Sequence, residues 1–273
     1  MSFFRTLKEF FFGKNNTKHI WSNNKKAIMM GLNNYKGSKN DLKGCVSDAK
    51  DISEMLEFKF GFSKPILLID NDLTVSNVKS HLTKLVEESK SGDVLVISYS
   101  GHGSNVADKS GDESDGRDET WYIYDGQLID DDLRTIFSKL PEGVKLTIIS
   151  DSCHSGTVTR SLDEYNTPKY IPPEDGAFPV ATKKIKRIGD PRGDMNHILI
   201  SGCSSNEYSY DARIDGSYHG AFTYYLLAIL KSNDNITYNK FYEELRRILP
   251  NASYKQTPQL EGTEALKEQK MFE

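Results

Sequence analysis

The chain has 273 residues, a formal net charge of -4, and 37% hydrophobic against 27% charged residues. That is enough for a core that needs no disulfide or metal staples, and the slightly acidic balance gives no reason to expect nucleic acid as a partner. Cys45, Cys153 and Cys203 lack paired spacing, which argues against a disulfide framework and a Cys-x-x-Cys zinc site and for a reducing, cytoplasmic compartment.

Residues 1–24 read as an N-terminal arm. Its aromatic clusters at Phe3, Phe4 and Phe10 to Phe12 are interrupted by Arg5, Lys8 and Glu9, so no uncharged run is long enough for a signal core or a membrane span. The arm is expected to be short, amphipathic and packed on the domain, the alternative being a helix lying on a membrane surface. Lys26 to Gly31 is the first predicted strand. Leu42, Cys45, Val46, Ala49, Ile52, Met55 and Leu56 recur at three- and four-residue spacing, which predicts an amphipathic helix over 42–58. Pro65 to Ile69 is the second strand. Thr74 then caps a helix carrying Val75, Val78, Leu82, Leu85 and Val86 on one face.

Asp93 to Tyr99 is a buried strand that stops at Ser100, Gly101, His102 and Gly103, and a βαβαβ unit of this kind winds right-handed into a parallel sheet. Residues 107–119, rich in Asp, Glu, Gly and Ser, read as a loop, Trp121 to Tyr124 as a short edge strand, and Asp130 to Leu140 as a helix capped by its aspartates. A third apolar run, Val144 to Ile149, delivers Ser150, Asp151, Ser152, Cys153, His154, Ser155 and Gly156 into another loop. Thr157 to Met195 is a long irregular insert with five prolines and the basic run Lys183, Lys184, Ile185, Lys186, Arg187. Such loops are usually lids or linkers. Strand Ile198 to Ser201, helices Gly220 to Lys231 and Tyr238 to Leu249, and an edge strand Thr257 to Glu261 complete an α/β fold with a mainly parallel central sheet flanked by helices on both faces.

In open α/β sheets chemistry gathers beyond the carboxyl ends of the strands, and two of these strand ends carry a thiol and an imidazole. Only a thiolate attacks a carbonyl well, so Cys153 needs a nearby base, and His102 also serves to protonate a leaving amine. The backbone amides of Gly103 and Cys153 are the candidate donors to a developing oxyanion. A residue that follows an attacking side chain normally points elsewhere along the chain, so His154 is the weaker candidate for the base. The plainer reading makes Cys153 a small buried residue and His102 a turn residue, and requires the two strand-end motifs to coincide by accident.

The motifs Tyr99-Ser100-Gly101-His102-Gly103 and Asp151-Ser152-Cys153-His154-Ser155-Gly156, together with Gly44 to Ala49, Gly111 to Gly116, Ile129-Asp130-Asp131 and Gly220 to Thr223, resemble the caspase and metacaspase family of cysteine peptidases, most closely its metacaspase branch. The resemblance covers roughly residues 25–265. It implies a caspase-like fold in a single domain over 25–265, with a large-subunit-like part at about 25–160, the insert at 157–195, a small-subunit-like part at about 196–265, and a tail at 266–273. It also implies a monomeric endopeptidase with protein or peptide substrates, working through a Cys-His dyad and a covalent acyl-enzyme without a cofactor for the chemistry. Caspases need arginines in the pocket for an aspartate, whereas metacaspases take arginine or lysine and need carboxylates. Asp48 and Asp151 match the metacaspase pocket positions, with Ser100 as a neutral pocket residue; the alternatives are a solvated helix face for Asp48 and a turn role for Asp151.

Asp112, Asp115, Asp130 and Asp131 resemble the calcium site that activates many metacaspases, although Arg160 stands where calcium-dependent members have an aspartate. The basic cluster in the insert suggests self-cleavage after Lys184, Lys186 or Arg187. Cys203 reads as a buried small residue near the cleft, and His197 and His219 carry no partner motif. The competing class is a caspase-fold regulatory or binding module whose dyad is unused.

Overall fold

Apolar runs that alternate with amphipathic stretches build one sheet whose two faces bury different residues of each strand. The computed structural model describes residues 21–37, 39–108, 116–153, 166–173, 197–204 and 207–273. In chain order these contain β1 (Lys25–Gly31), α1 (Cys45–Phe58), β2 (Ile66–Ile69), α2 (Val75–Glu87), β3 (Val94–Ser100), β4 (Gly103–Ala107), β5 (Arg117–Ile123), β6 (Gly126–Ile129), α3 (Asp130–Phe137) and β7 (Lys145–Asp151). There follow β8 (Asn166–Pro168), β9 (His197–Ser201), β10 (Tyr210–Ile214), β11 (Ser217–Gly220), α4 (Ala221–Ser232), α5 (Tyr238–Ile248), β12 (Gln259–Glu261) and α6 (Glu264–Lys267).

The main sheet runs β2-β1-β3-β7-β9-β12, parallel except for β12 at its edge. Alternation along the strands sorts the core. Ile28, Met30, Leu95, Ile97, Leu146 and Ile148 pack with the apolar stripes of α2 and α3, while Ala27, Met29, Val96, Ile149 and Ile200 pack with α1, α4 and α5. Helices on both faces require strands apolar on both sides, which is why these strands read as continuous hydrophobic runs. The central pair β3 and β7 is in register Ser100 to Asp151, so the segments carrying His102 and Cys153 leave the sheet side by side.

Several elements depart from the sequence reading. Helix α1 starts at Cys45 and leaves Leu42 outside. The stretch read as a loop includes residues 117–119 of β5, which with β4 and β6 forms a three-stranded antiparallel sheet. Arg117, Asp118 and Glu119 look like loop residues but are buried there. The aspartates of α3 lie inside its first turn, and Ile129 occupies the cap position. A hairpin, β10–β11, was not anticipated; its turn residues Asp215 and Gly216 have φ values of 50° and 87°, the Asp-Gly signature of a tight hairpin. The insert, read as irregular, contributes β8 to that hairpin's sheet. Residues 266–273, set apart as a tail, belong to the domain: Met271 and Phe272 are buried in the core.

Candidate active site

Both strand ends were expected to expose their functional side chains, but they are covered: His102 is 3% and Cys153 0% exposed. Over Cys153 the cover is the chain itself, at Lys169 and Tyr170 of the insert. The Gly103 amide donates to the Lys169 carbonyl oxygen at 3.0 Å, and the Cys153 amide donates to the same oxygen at 3.1 Å. The two amides selected from sequence as oxyanion donors thus converge on one carbonyl. Around Cys153 pack Tyr170 and Cys203, and the Ser209 amide donates to the thiol sulfur.

The imidazole of His102 is fixed by main chain and tyrosines. Its Nε2 lies 2.8 Å from the Asn40 carbonyl oxygen, its amide donates to the Tyr35 hydroxyl at 2.7 Å, and its carbonyl accepts from the Tyr99 hydroxyl at 2.8 Å. The Tyr35 ring stands 4.8 Å from the imidazole. Neither Asn40 nor Tyr35 was singled out from sequence.

Asp48, Asp151 and Ser100 are brought together, and all three are buried. Asp48 faces away from solvent on α1, so the solvated-face alternative is excluded. The Lys169 ammonium sits among them, 3.0 Å from Asp151 Oδ2, 3.4 Å from Asp48 Oδ2 and 2.9 Å from Ser100 Oγ. Ser100 in turn donates to Asp48 Oδ2 at 2.7 Å. Asp151 also accepts from the Thr223 hydroxyl at 2.7 Å and from the Ser209 hydroxyl, and the Gly220 amide donates to both Asp48 oxygens, at 3.0 and 2.9 Å. The floor is Gly220, where a Cβ would overlap Asp151 Oδ2 and Lys169 Nζ. Glycine is needed there for space.

The electrostatics follow from burial opposed by pairing. Burial works against the Lys169 charge, but Asp151, then Cys45, Asp48 and Asp211, outweigh it and hold the ammonium well above its ordinary range. Burial likewise pushes Asp48 up, yet Lys169, His219, Ser100 and the Gly220 amide leave it lowered overall. Asp211, whose carboxylate accepts from the Lys43 and Gly44 amides at 2.6 and 2.8 Å, is raised to about 6, chiefly by burial. Two buried carboxylates and a serine hydroxyl thus surround one ammonium, which supplies the charge and the hydrogen-bond donors they lack.

Thr223 lies in the Gly220 to Thr223 segment quoted from sequence, whereas Lys169 and Ser209 carried no sequence signal. His219, read as partnerless, lies 3.7 Å from Asp48 Oδ1. Lys184, Lys186, Arg187, His154, Arg160, Asp112 and Asp115 lie outside the described residues. Asp130 and Asp131 both pair with Arg134, at 2.7 and 3.0 Å, and burial raises Asp130 to about 6 despite that guanidinium. Among the described residues no cluster of three or more acidic, His or Cys side chains is positioned to hold a metal. Two carboxylates sharing one guanidinium do not by themselves meet calcium's demand for six to eight oxygens.

A family profile described as the caspase domain matches residues 24–269. The chain is 32% identical to a metacaspase-1 of Scheffersomyces stipitis, over 88% of this chain and 70% of that protein. It is 30% identical to a metacaspase-2 of Trypanosoma brucei brucei, over 88% of this chain and 74% of that protein. Of a metacaspase-1 of Schizosaccharomyces pombe, 30% identical, it spans 66% of the length. Among solved structures, a Geobacter sulfurreducens protein superposes with a TM-score of 0.71 at 31% identity, covering 91% of this chain and 98% of that one. Caspase-1 of Spodoptera frugiperda, at a TM-score of 0.55 and 13% identity over 88% of this chain and 86% of that one, shares the fold. The chain therefore belongs to the caspase-domain family of cysteine peptidases, in its metacaspase-like branch.

Proposed function

We propose that this cysteine peptidase is an endopeptidase that cuts after arginine or lysine, with Cys153 as nucleophile and His102 as base and acid. The thiolate attacks the scissile carbonyl, the Gly103 and Cys153 amides stabilise the oxyanion, and His102 protonates the leaving amine. Water then hydrolyses the thioester and restores the thiol. The observation that carries this reading is Lys169: its ammonium is buried against Asp48, Asp151 and Ser100 while its carbonyl oxygen takes both amides. An aspartate in the same pocket would face two carboxylates with no cation between them, a repulsive arrangement.

Self-processing within the 157–195 loop, with Lys184, Lys186 and Arg187 as candidates, belongs to the same proposal, as does action as a monomer on protein or peptide substrates. A cytoplasmic setting is supported by Cys45, Cys153 and Cys203 forming no disulfide; among the described residues no helix is long and apolar enough to cross a membrane. The proposed chemistry draws on no cofactor. Calcium activation through Asp112, Asp115, Asp130 and Asp131 requires the ion to displace Arg134 from the last two, so rates in calcium and in chelator, compared for wild type and Asp130→Asn, test it.

The decisive assay compares peptidyl-Arg, peptidyl-Lys and peptidyl-Asp fluorogenic substrates on wild type and Cys153→Ala. Turnover of the basic substrates that vanishes in the variant is expected. Preference for aspartate, or turnover by Cys153→Ala, would sink the reading; absence of any adduct between Cys153 and an Arg-directed acyloxymethyl ketone would favour the binding module.

A further inference from the structure

We infer that residues Asn166 to Ile171 are bound in the chain's own cleft as an intramolecular substrate, and that the Lys169–Tyr170 peptide bond is its self-processing site. The inference rests on the proposed basic-residue specificity and names the first substrate of that site.

The segment is held as an extended peptide on both sides of one bond. On the amino side, β8 adds to β10 as an antiparallel strand, with Asn166 opposite Ala212, Thr167 opposite Asp211 and Pro168 opposite Tyr210. The Lys169 amide continues that ladder to the Ser209 carbonyl at 2.9 Å. Strand addition of this kind aligns a substrate backbone while alternate side chains fall into pockets. Lys169 is the residue that falls into the carboxylate pocket, and it is 0% exposed. On the carboxyl side, Tyr170 packs on Cys153 and Cys203, and the Ile171 amide donates to the Gly103 carbonyl at 3.0 Å. Between these two anchored stretches the Lys169 carbonyl oxygen is held by the Gly103 amide and by the amide of Cys153 itself, and the thiol lies against the Ser209 main chain that also binds the Lys169 amide.

A lysine recruited only to neutralise Asp48 and Asp151 needs its ammonium in the pocket and nothing more. It has no need to present its carbonyl to the two amides flanking a nucleophile, nor to be followed by a residue seated on that nucleophile. All three features together are the register of a bound substrate at its scissile bond.

The step balances without any co-reactant other than water. Cys153 sulfur bonds to the Lys169 carbonyl carbon, and the bond to the Tyr170 nitrogen breaks. The electron pair leaves with that nitrogen, which takes a proton from His102. Water attacks the resulting thioester, giving its proton to His102 and then to the departing sulfur. The products are a carboxylate at Lys169 and an amine at Tyr170. Because nucleophile and bond share one chain, the cut is first order in protein. Any other substrate waits for the segment to leave, so peptide turnover begins with a lag that tracks the nick.

The test uses the full chain, purified reduced, with intact-mass analysis and peptide mapping run beside peptidyl-Arg turnover. Wild type is expected to yield fragments 1–169 and 170–273 at a rate independent of protein concentration, Cys153→Ala to stay whole, and Lys169→Arg to keep the cut. Lys169→Gln is expected to slow it by at least about a hundredfold. Since that variant leaves two buried carboxylates unpaired and can fail to fold, Tyr170→Pro provides a second block: it leaves the pocket filled, makes the bond a tertiary amide, and is expected to remain uncut there. A wild type that turns over peptidyl-Arg but carries no break after Lys169, or breaks only after Lys184, Lys186 or Arg187, overturns the inference and leaves the peptidase reading standing. A wild type that neither turns over peptide nor nicks itself removes both.

Discussion

The main-chain oxygen of Asn40 lies 2.8 Å from Nε2 of His102. A carbonyl oxygen only accepts, so the proton sits on Nε2 and the lone pair on Nδ1. The tautomer is thus set by backbone, in the role a carboxylate fills in a Ser-His-Asp triad, and the imidazole plane is braced by the Tyr35 ring.

Cys153→Ala and His102→Ala are each expected to lower kcat by several orders of magnitude, because members of a coupled dyad act as a unit. Far-UV circular dichroism should be unchanged in both. More than a few per cent residual activity in either variant, measured on a peptidyl-Arg substrate, would reject the assignment.

Tyr35→Phe removes the hydroxyl that accepts the His102 amide at 2.7 Å. An orphaned buried amide costs about 1–3 kcal/mol, and the main chain that carries the imidazole loses one of its anchors. The expected signature is a fall in kcat at constant KM, alongside a lower melting temperature. A lower melting temperature with kcat intact would reduce Tyr35 to a packing residue.

Asp151→Asn is expected to weaken cleavage after Arg and Lys through KM and kcat together, and Asp48→Ala to act in the same direction. From sequence alone Asp151 would matter to catalysis far more than to stability. Its 3.0 Å pairing with the buried Lys169 ammonium changes that expectation. Breaking one arm of a buried pair costs on the order of 3–5 kcal/mol, moderated here because Asp48 remains 3.4 Å from the same ammonium. Chemical denaturation of Asp151→Asn, alone and with Lys169→Gln, separates the effects: the double variant is expected to recover part of the lost stability, and strictly additive losses would contradict the pairing.

What was legible in the sequence is what periodicity and chain-local chemistry encode. The five runs that form β1, β2, β3, β7 and β9 are apolar on both faces, and the His102 and Cys153 segments end two of them. The antiparallel sheet β4–β6 was illegible because Arg117, Asp118 and Glu119 are charged yet buried, and burial of charge is decided by tertiary partners such as Asn105, which accepts from Arg117 Nε. Asp215 and Gly216 carry a hairpin signal and Tyr210 to Ile214 alternates apolar with polar residues, but Ser217 to Gly220 on the other side of the turn is too short and too polar to read as a strand. Asn40 acts through its carbonyl, which every residue possesses. Lys169 sits beside Pro168 in a stretch without period, and only the folded pocket distinguishes it from Lys184 or Lys186.

Stability should also depend on pH through His219. Its ring lies 3.7 Å from Asp48 and 3.8 Å from Asp51, and the facing Asp48 carboxylate, opposed by burial and aided by the charges of Asp51 and Asp211, raises it above 6.5. The folded chain then binds a proton at this site more tightly than the unfolded one. The contribution is fully present below pH 6.5 and is lost as pH rises through the raised value. The partial exposure of the ring limits it to about 1 kcal/mol. Melting temperatures of wild type and His219→Gln should therefore converge as pH rises through the raised value and separate as it falls toward 6.5. Parallel curves would dismiss the coupling.

Gly220 has φ -64°, an angle open to any residue, so what it supplies is the missing side chain. A Cβ at this position overlaps Asp151 Oδ2 and Lys169 Nζ and stands 2.7 Å from Asp48 Oδ2. Gly220→Ala must push the carboxylates apart or exclude the cation, at an overpacking cost of about 1–3 kcal/mol. The carboxylates cannot retreat far, because Thr223 and the Gly220 amide itself hold them. Cleavage after Lys and Arg is expected to fall at least about a hundredfold in kcat/KM, while an acyloxymethyl ketone with a small uncharged side chain still labels Cys153. Equal loss of labelling by the uncharged and the Arg-directed reagents would mean that the substitution disturbs the nucleophile and not the pocket.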